Sequence, residues 1–265
     1  MIWKRSFEIA PPPENLKIKG FSPFYIYKKE IINYNYDMQN HKIKAFTLAE
    51  VLITLGIIGI VAAITMPALI TNYQKKETAK RLQQAYNLLQ QTASLAQVEY
   101  GDMETWDCFV KGSISPEEFA DKYIIPFFKD TNIKKFGDWS KAGYKNPPKL
   151  MDGSDTTSGY YYFQVPQGYI YGISYYDTPE RRVFLVNIDV NGTSGKNIVG
   201  RDIFIATYGY NNEENNFYKL QMYNYNNYSR QKLLDRNCNK TGGNGQYCGA
   251  IIEMDGWEIK DYYPW

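Results

Sequence analysis

"KAFTLAEVLITLGIIGIVAAITMPALI", Lys44 to Ile70, decides how this chain is read. Between Glu50 and Lys75 it carries 24 residues without a charge. An α-helix rises about 1.5 Å per residue, so about 20 residues span a hydrocarbon core of about 30 Å. Val51 to Ile70 supplies that length, with Thr54 and Thr65 as its polar members. A buried core helix would need a shorter run, so the segment reads as a membrane helix. Basic Lys42 and Lys44 come before it, which places the N-terminal end in the cytoplasm and everything after Lys75 outside. One residue sits oddly: an acid, Glu50, stands at the head of the apolar run.

A secretory signal peptide would have a shorter apolar core followed by a small-residue cleavage site. Here the small residue, Ala45, precedes the apolar run. The order of a basic residue, Ala45, Phe46, Thr47, Leu48, Ala49, Glu50, Val51 and Leu52 resembles the class III signal of type IV pilins and type II secretion pseudopilins. The resemblance implies that a prepilin peptidase cuts between Ala45 and Phe46 on the cytoplasmic side and methylates the new α-amine of Phe46. It also implies that the helix stays on the mature protein and that Glu50 attracts the N-terminus of a neighbouring subunit during filament assembly. The family's usual residue before the cut is Gly, and Ala45 departs from it. Opposite charges in a low-dielectric setting attract strongly while each alone is penalised, which gives an intramembrane carboxylate a purpose. The competing reading has Glu50 snorkelling to the headgroups.

Within the helix, Gly56, Gly59, Ala62 and Ala63 permit close approach of neighbouring helices in lipid. Pro67 cannot donate to the Ala63 carbonyl, so a break or bend is expected there. Residues 1–45 read as a leader. Met1 to Asp37 sustains no period, and a start at Met38 gives the short basic leader "MQNHKIKA". Residues 1–37 are therefore read as upstream sequence from an over-extended start, and residues 46–72 as the transmembrane helix.

Leu82, Ala85, Tyr86, Leu89, Ala93 and Ala96 recur at three- and four-residue spacing and make one apolar face. The helix should thus continue through residues 73–100 and stop at Gly101. Residues 101–265 form one exported domain. "SISPEEFADKYIIPFF" predicts a helix capped by Ser115 and Glu118, with Pro116 at its first position and Pro126 at its end. A Gly-, Ser- and Pro-rich connection follows over 137–159. Strands are expected at 160–165, 169–176, 181–190, 202–209 and 217–225, in an antiparallel meander with a turn at Pro166-Gln167-Gly168. The fold class is α+β, a long N-terminal helix laid on a C-terminal antiparallel sheet, which the pilin resemblance also implies.

Thirty Lys and Arg against 28 Asp and Glu leave a net charge of +2, too little to bind nucleic acid by field alone. The 25 tyrosines and the stretch "YGYNNEENNF" suit either a sticky surface or alternating strand faces. Cys238 and Cys248 flank a flexible loop and should pair after export, leaving Cys108 over; zinc lacks a companion histidine. Asp189, Asn191 and Asp202 are weak calcium candidates, because Asp-x-Asn-Gly opens a calcium loop whose later Glu is missing. A plain turn at Asn191-Gly192 competes with that reading. The "DVNG" to "GRDIF" segment and the ending "CGAIIEMDGWEIKDYYPW" also resemble a bacterial subgroup of prepilin-type proteins.

His41, the chain's single histidine, lies in the leader, so the mature protein has none for a triad or proton shuttle. No Gly-rich phosphate loop joins a strand to a helix. An enzyme is thereby disfavoured, and no cofactor beyond the calcium candidate is implied. The expected protein is a pilin-like subunit of the bacterial inner membrane with an exported domain. Its expected partners are the prepilin peptidase, other pilin or pseudopilin subunits, the inner-membrane assembly platform and membrane lipid. The rival is an uncleaved, membrane-anchored adhesin.

Overall fold

A computed structural model describes residues 46–110, 114–129, 132–156, 159–178, 181–211 and 216–265. The expected leader, with Met38 and Ala45, lies outside the described residues.

One helix, α1 (Leu48–Tyr100), runs 53 residues. It passes through Pro67 as continuous helix, so the expected interruption there is not a break. Proline removes one backbone donor, and in so long a ladder the loss is local. Threonine hydroxyls bond back along the same stretch, Thr65 Oγ1 to the Val61 carbonyl at 2.9 Å and Thr71 Oγ1 to the Pro67 carbonyl at 2.9 Å. A polar side chain in an apolar run thus finds its acceptor within its own helix. The helix ends where Gly101 takes φ +78° and donates to Gln97 O at 2.9 Å.

The apolar face expected from spacing is the buried one. Leu82, Ala85, Tyr86, Leu89, Ala93 and Ala96 are buried, joined by Ala79 and Thr92. Fully burying each leucine contributes about 1.5–3 kcal/mol. Tyrosine hydroxyls tie this face to the sheet: Tyr171 donates to Ala85 O at 2.9 Å, Tyr86 to Leu220 O at 3.2 Å, and Tyr169 to Gln84 Oε1 at 3.1 Å. Large buried rings need such partners for their hydroxyls, which gives part of the tyrosine content a structural use.

The sheet is an antiparallel meander in sequence order: β1 (Lys134–Lys135), β2 (Tyr161–Gln164), β3 (Ile170–Asp177), β4 (Arg181–Asp189), β5 (Ile203–Asn211) and β6 (Asn216–Met222). Five strands were anticipated, and short β1 is the addition. The Pro166 turn closes as expected, with Gly168 at φ +89° donating to Val165 O at 2.9 Å. Tyr223 N still donates to Ile205 O at 2.9 Å, but the chain then turns out of the sheet instead of extending β6, as Asn224 takes φ +63° and Tyr225 N turns back to Met222 O at 2.9 Å.

Both faces of the sheet are covered. Phe163, Tyr171, Phe184, Val186, Phe204, Ala206 and Tyr208 join the α1 core. Ile170, Leu185, Ile203 and Ile205 face the other way, under Ala142 and Tyr144, with Phe136, Trp139 and Leu150 packed alongside. The 137–159 connection, read from sequence as a plain loop, is that cover. Its backbone is stitched in, Lys149 N to Asn197 O at 2.9 Å, Val199 N to Lys149 O at 2.8 Å, and Met151 N to Asn244 O at 3.0 Å. Gly172 on β3 is required by a close approach: a Cβ there would lie 2.6 Å from the Tyr162 ring.

The capped helix is present but short. α2 (Asp107–Val110) precedes α3 (Pro116–Phe119), after which the chain widens through a π turn (Ala120–Ile124) and tightens in a 3-10 turn (Ile125–Phe127). The Ser115–Glu118 box is complete, with Ser115 N donating to Glu118 Oε2 at 2.9 Å and Glu118 N to Ser115 Oγ at 3.1 Å. Two further helices, α4 (Arg230–Arg236) and α5 (Cys248–Met254), were not anticipated.

Candidate functional site

The head of α1 explains what its acid does within one chain. Thr47 caps the helix and Glu50 is its third residue. Thr47 N and Thr47 Oγ1 both donate to Glu50 Oε2, each at 2.8 Å, and Glu50 N donates to Thr47 Oγ1 at 3.2 Å. This reciprocal pair satisfies two amides that a helix N-terminus leaves open. The sequence reading placed Thr47 in the cleavage motif but missed its capping role, although Thr-x-x-Glu before an apolar run is the signature of such a box. Glu50 nonetheless stays exposed, as does Phe46 at 85 %. Around them the large apolar residues from Leu48 to Ile70 are 41 % exposed or more. Side chains built at Gly56 or Gly59 would meet nothing within 4 Å. A surface of this length and polarity is one a lipid bilayer or neighbouring helices would cover.

The three calcium candidates do come together, but their oxygens are committed elsewhere. Asp202 accepts from three successive backbone amides, Lys196 N at 2.9 Å, Asn197 N at 2.9 Å and Ile198 N at 2.6 Å, and from Asn191 Nδ2 at 3.4 Å. Asp189 accepts from Tyr144 Oη at 2.6 Å and Asn191 N at 3.1 Å. A calcium ion needs six to eight oxygen ligands, and here the carboxylates are surrounded by N–H and O–H donors. The set does not fit a calcium cage. Its work is to hold the β4–β5 connection, where Val190 N also donates to Asp202 O at 3.0 Å.

Burial pushes the Asp189 carboxyl up to about 8, against the opposing pull of the Tyr144 hydroxyl. Its folded value lies above the ordinary unfolded one near 4, so the folded state holds the proton longer. That contribution to stability is full below about pH 4 and is lost as pH rises toward 8. Glu253, also raised by burial, to about 7, adds the same sign. Thermal unfolding of the wild-type chain should therefore show stability falling between pH 5 and 8. Asp189→Asn should flatten that slope by up to about 1.4 kcal/mol per pH unit. An unchanged slope in the variant would show that Asp189 is not the titrating group.

Cys238 and Cys248 form the expected disulfide, with their Cα atoms 5.1 Å apart. Closing so short a loop stabilises by about 2–3 kcal/mol on the chain-entropy model. Cys108 is free and buried, and burial pushes its thiol up to about 12. A thiol so placed is a core residue with little thiolate at neutral pH.

Residues 40–66 match the prokaryotic N-terminal methylation motif, the signature of prepilin-type cleavage in type IV pilins and pseudopilins. That stretch contains Ala45, Phe46, Thr47 and Glu50. The motif implies processing by a prepilin peptidase and assembly with other pilin-type subunits. No curated protein and no solved structure matches the chain. Residues 68–265, all of the chain beyond the first part of α1, match the family of unknown function DUF6613. The chain is a member of that family, with its conserved-family region carried behind a prepilin-type, pilin-like N-terminal helix.

Proposed function

We propose that this chain is a filament subunit, cut between Ala45 and Phe46, methylated at Phe46, and stacked through α1 into a type IV pilus or type II secretion pseudopilus. Before assembly it is held in the bacterial inner membrane by residues 46–72, with residues 101–265 on the exported side. The observation that carries this reading is the methylation motif running directly into a helix whose residues 48–70 remain uncovered. In the filament, Glu50 pairs with the α-amine of a neighbouring Phe46. The methylation motif supports a structural subunit.

Mass spectrometry of the membrane-extracted protein tests the processing step. The expected mature N-terminus is N-methylated Phe46. A start beyond Ile70 would make the segment an ordinary signal peptide, and an intact leader would favour the uncleaved anchored adhesin.

A further inference from the structure

Two segments of the exported domain carry opposite charge. Residues 99–122 hold seven carboxylates against two lysines, and residues 219–240 hold five Lys and Arg against one acid, Asp235. Part of this charge is used locally: Asp107 pairs with Lys122, Asp121 with Lys135, and Arg230 with Asp255. Asp102, Glu104 and Glu117 stay exposed. Among the described residues, no ion pair engages these three or joins the two segments.

The basic segment is backed by tyrosines. Lys232 Nζ lies 4.2 Å, and Arg236 Cζ 5.1 Å, from the centre of the Tyr228 ring. Tyr228 meets Tyr247 at 6.0 Å, and Tyr247 meets Tyr223 edge-on at 5.4 Å. The Cys238–Cys248 disulfide holds these parts together, since Cys248 follows Tyr247 and Cys238 lies two residues past Arg236. Neither cation has a carboxylate partner among the described residues. The hydroxyls of Tyr223 and Tyr247 lack a hydrogen-bond partner there too, and neither is closed to solvent. Tyrosine and arginine are residues that protein interfaces favour. The three rings stand tilted or edge-on to one another, which suits a carboxylate-bearing protein segment better than stacked bases.

The two surfaces sit at different heights along α1. Tyr86 donates to Leu220 O at 3.2 Å, three residues before Tyr223, so the tyrosine cluster lies near the Tyr86 turn. Asp102 follows the end of α1 at Tyr100. From Tyr86 to Tyr100 the helix rises about 21 Å. A second copy displaced outward along α1 by about that distance brings its tyrosine cluster level with the acidic end of the first.

We propose that the Tyr228–Tyr247 surface, with Lys232 and Arg236, docks the acidic end of a second copy of this chain, at Asp102, Glu104 and Glu117. The contact is head-to-tail, with a different patch on each copy, so it repeats without closing when copies are displaced along one axis. It supplies the exported domain's share of the stacking that α1 begins. Complementary charge steers the approach and fixes the register more than it adds affinity. The inference rests on the filament reading, and the experiment separates the two.

The full-length chain is expressed in cells that carry its assembly machinery, and sheared filament protein is measured against membrane-held protein. Lys232→Glu with Arg236→Glu should lower that ratio about tenfold, and so should Asp102→Lys with Glu104→Lys. All four changes together should restore it to within about twofold of wild type, because the reversed patches again attract. In a chain otherwise wild type, a photo-crosslinking benzoylphenylalanine in place of Tyr247 should give an adduct of twice the chain's mass. Its joined peptide should contain Asp102 and Glu104. Normal incorporation of either reversed pair would overturn the docking, as would a combined variant no better than the pairs. An adduct with another protein, or one within a single chain, would overturn it too. Crosslinked copies without any sheared filament from wild type would keep the contact and overturn the filament.

Discussion

Glu50→Gln is expected to leave membrane insertion, cleavage and folding of the exported domain intact while filament incorporation falls tenfold or more. The reason lies in what the substitution keeps. Gln retains a side-chain carbonyl that can accept from Thr47 N and Thr47 Oγ1, and its own amide can still donate to Thr47 Oγ1, so the cap survives. The charge alone is removed. Insertion becomes no harder, since a carboxylate has left an apolar segment. Subunit addition loses the partner for an incoming α-amine as that amine leaves water. At an effective dielectric near 20, a pair about 4 Å apart is worth about 4 kcal/mol, so a tenfold loss is a conservative expectation.

The measurement is the ratio of sheared filament protein to membrane-held protein at equal expression. Thr47→Val supplies the reciprocal control. It deletes the hydroxyl on which the cap depends and keeps the carboxylate, which should weaken the helix start by about 1 kcal/mol. Incorporation should survive that change. Normal incorporation by Glu50→Gln would reduce the acid to a capping residue, and a Thr47→Val defect as deep as the Gln variant's would point to the cap.

How much of this could be read from the chain depended on the range of the interactions. The membrane-length run and the buried stripe from Leu82 to Ala96 are periodic along one helix, so spacing alone revealed them. The strand order followed from turn signals, because each neighbour in this sheet is also the neighbour in sequence. The cover over the second face was hidden. Phe136, Trp139, Tyr144 and Leu150 lie in a stretch of turns with no period, and their packing against Leu185 and Ile205 joins segments 35 residues or more apart. Helices α4 and α5 are seven residues each, too short for a convincing apolar stripe. The role of Asp202 was hidden for a related reason. The sequence showed its carboxylate but not the three amides turned toward it, since backbone donors leave no mark in a residue pattern.

Those amides make Asp202→Ala the most damaging single change expected in the exported domain. Alanine would leave Lys196 N, Asn197 N and Ile198 N without their acceptor in a partly buried loop. An orphaned buried donor costs about 1–3 kcal/mol, and partial access to water keeps these three near the lower end. A total of about 3 kcal/mol follows, which in a domain of this size lowers the unfolding midpoint by about 6–12 °C. The damage should spread through the same loop. Asn197 O receives Lys149 N, and Ile198 O receives Arg201 N at 3.0 Å, so the cover over the second sheet face shares the anchor. Asp202→Asn keeps one acceptor oxygen and should fall between wild type and alanine. Differential scanning calorimetry in buffers with calcium or with a chelator makes the comparison decisive. The wild-type midpoint should be the same in both, because the carboxylate is serving amides. A calcium-dependent rise abolished by Asp202→Ala would restore the metal reading, and an alanine variant as stable as wild type would show that water can replace the carboxylate.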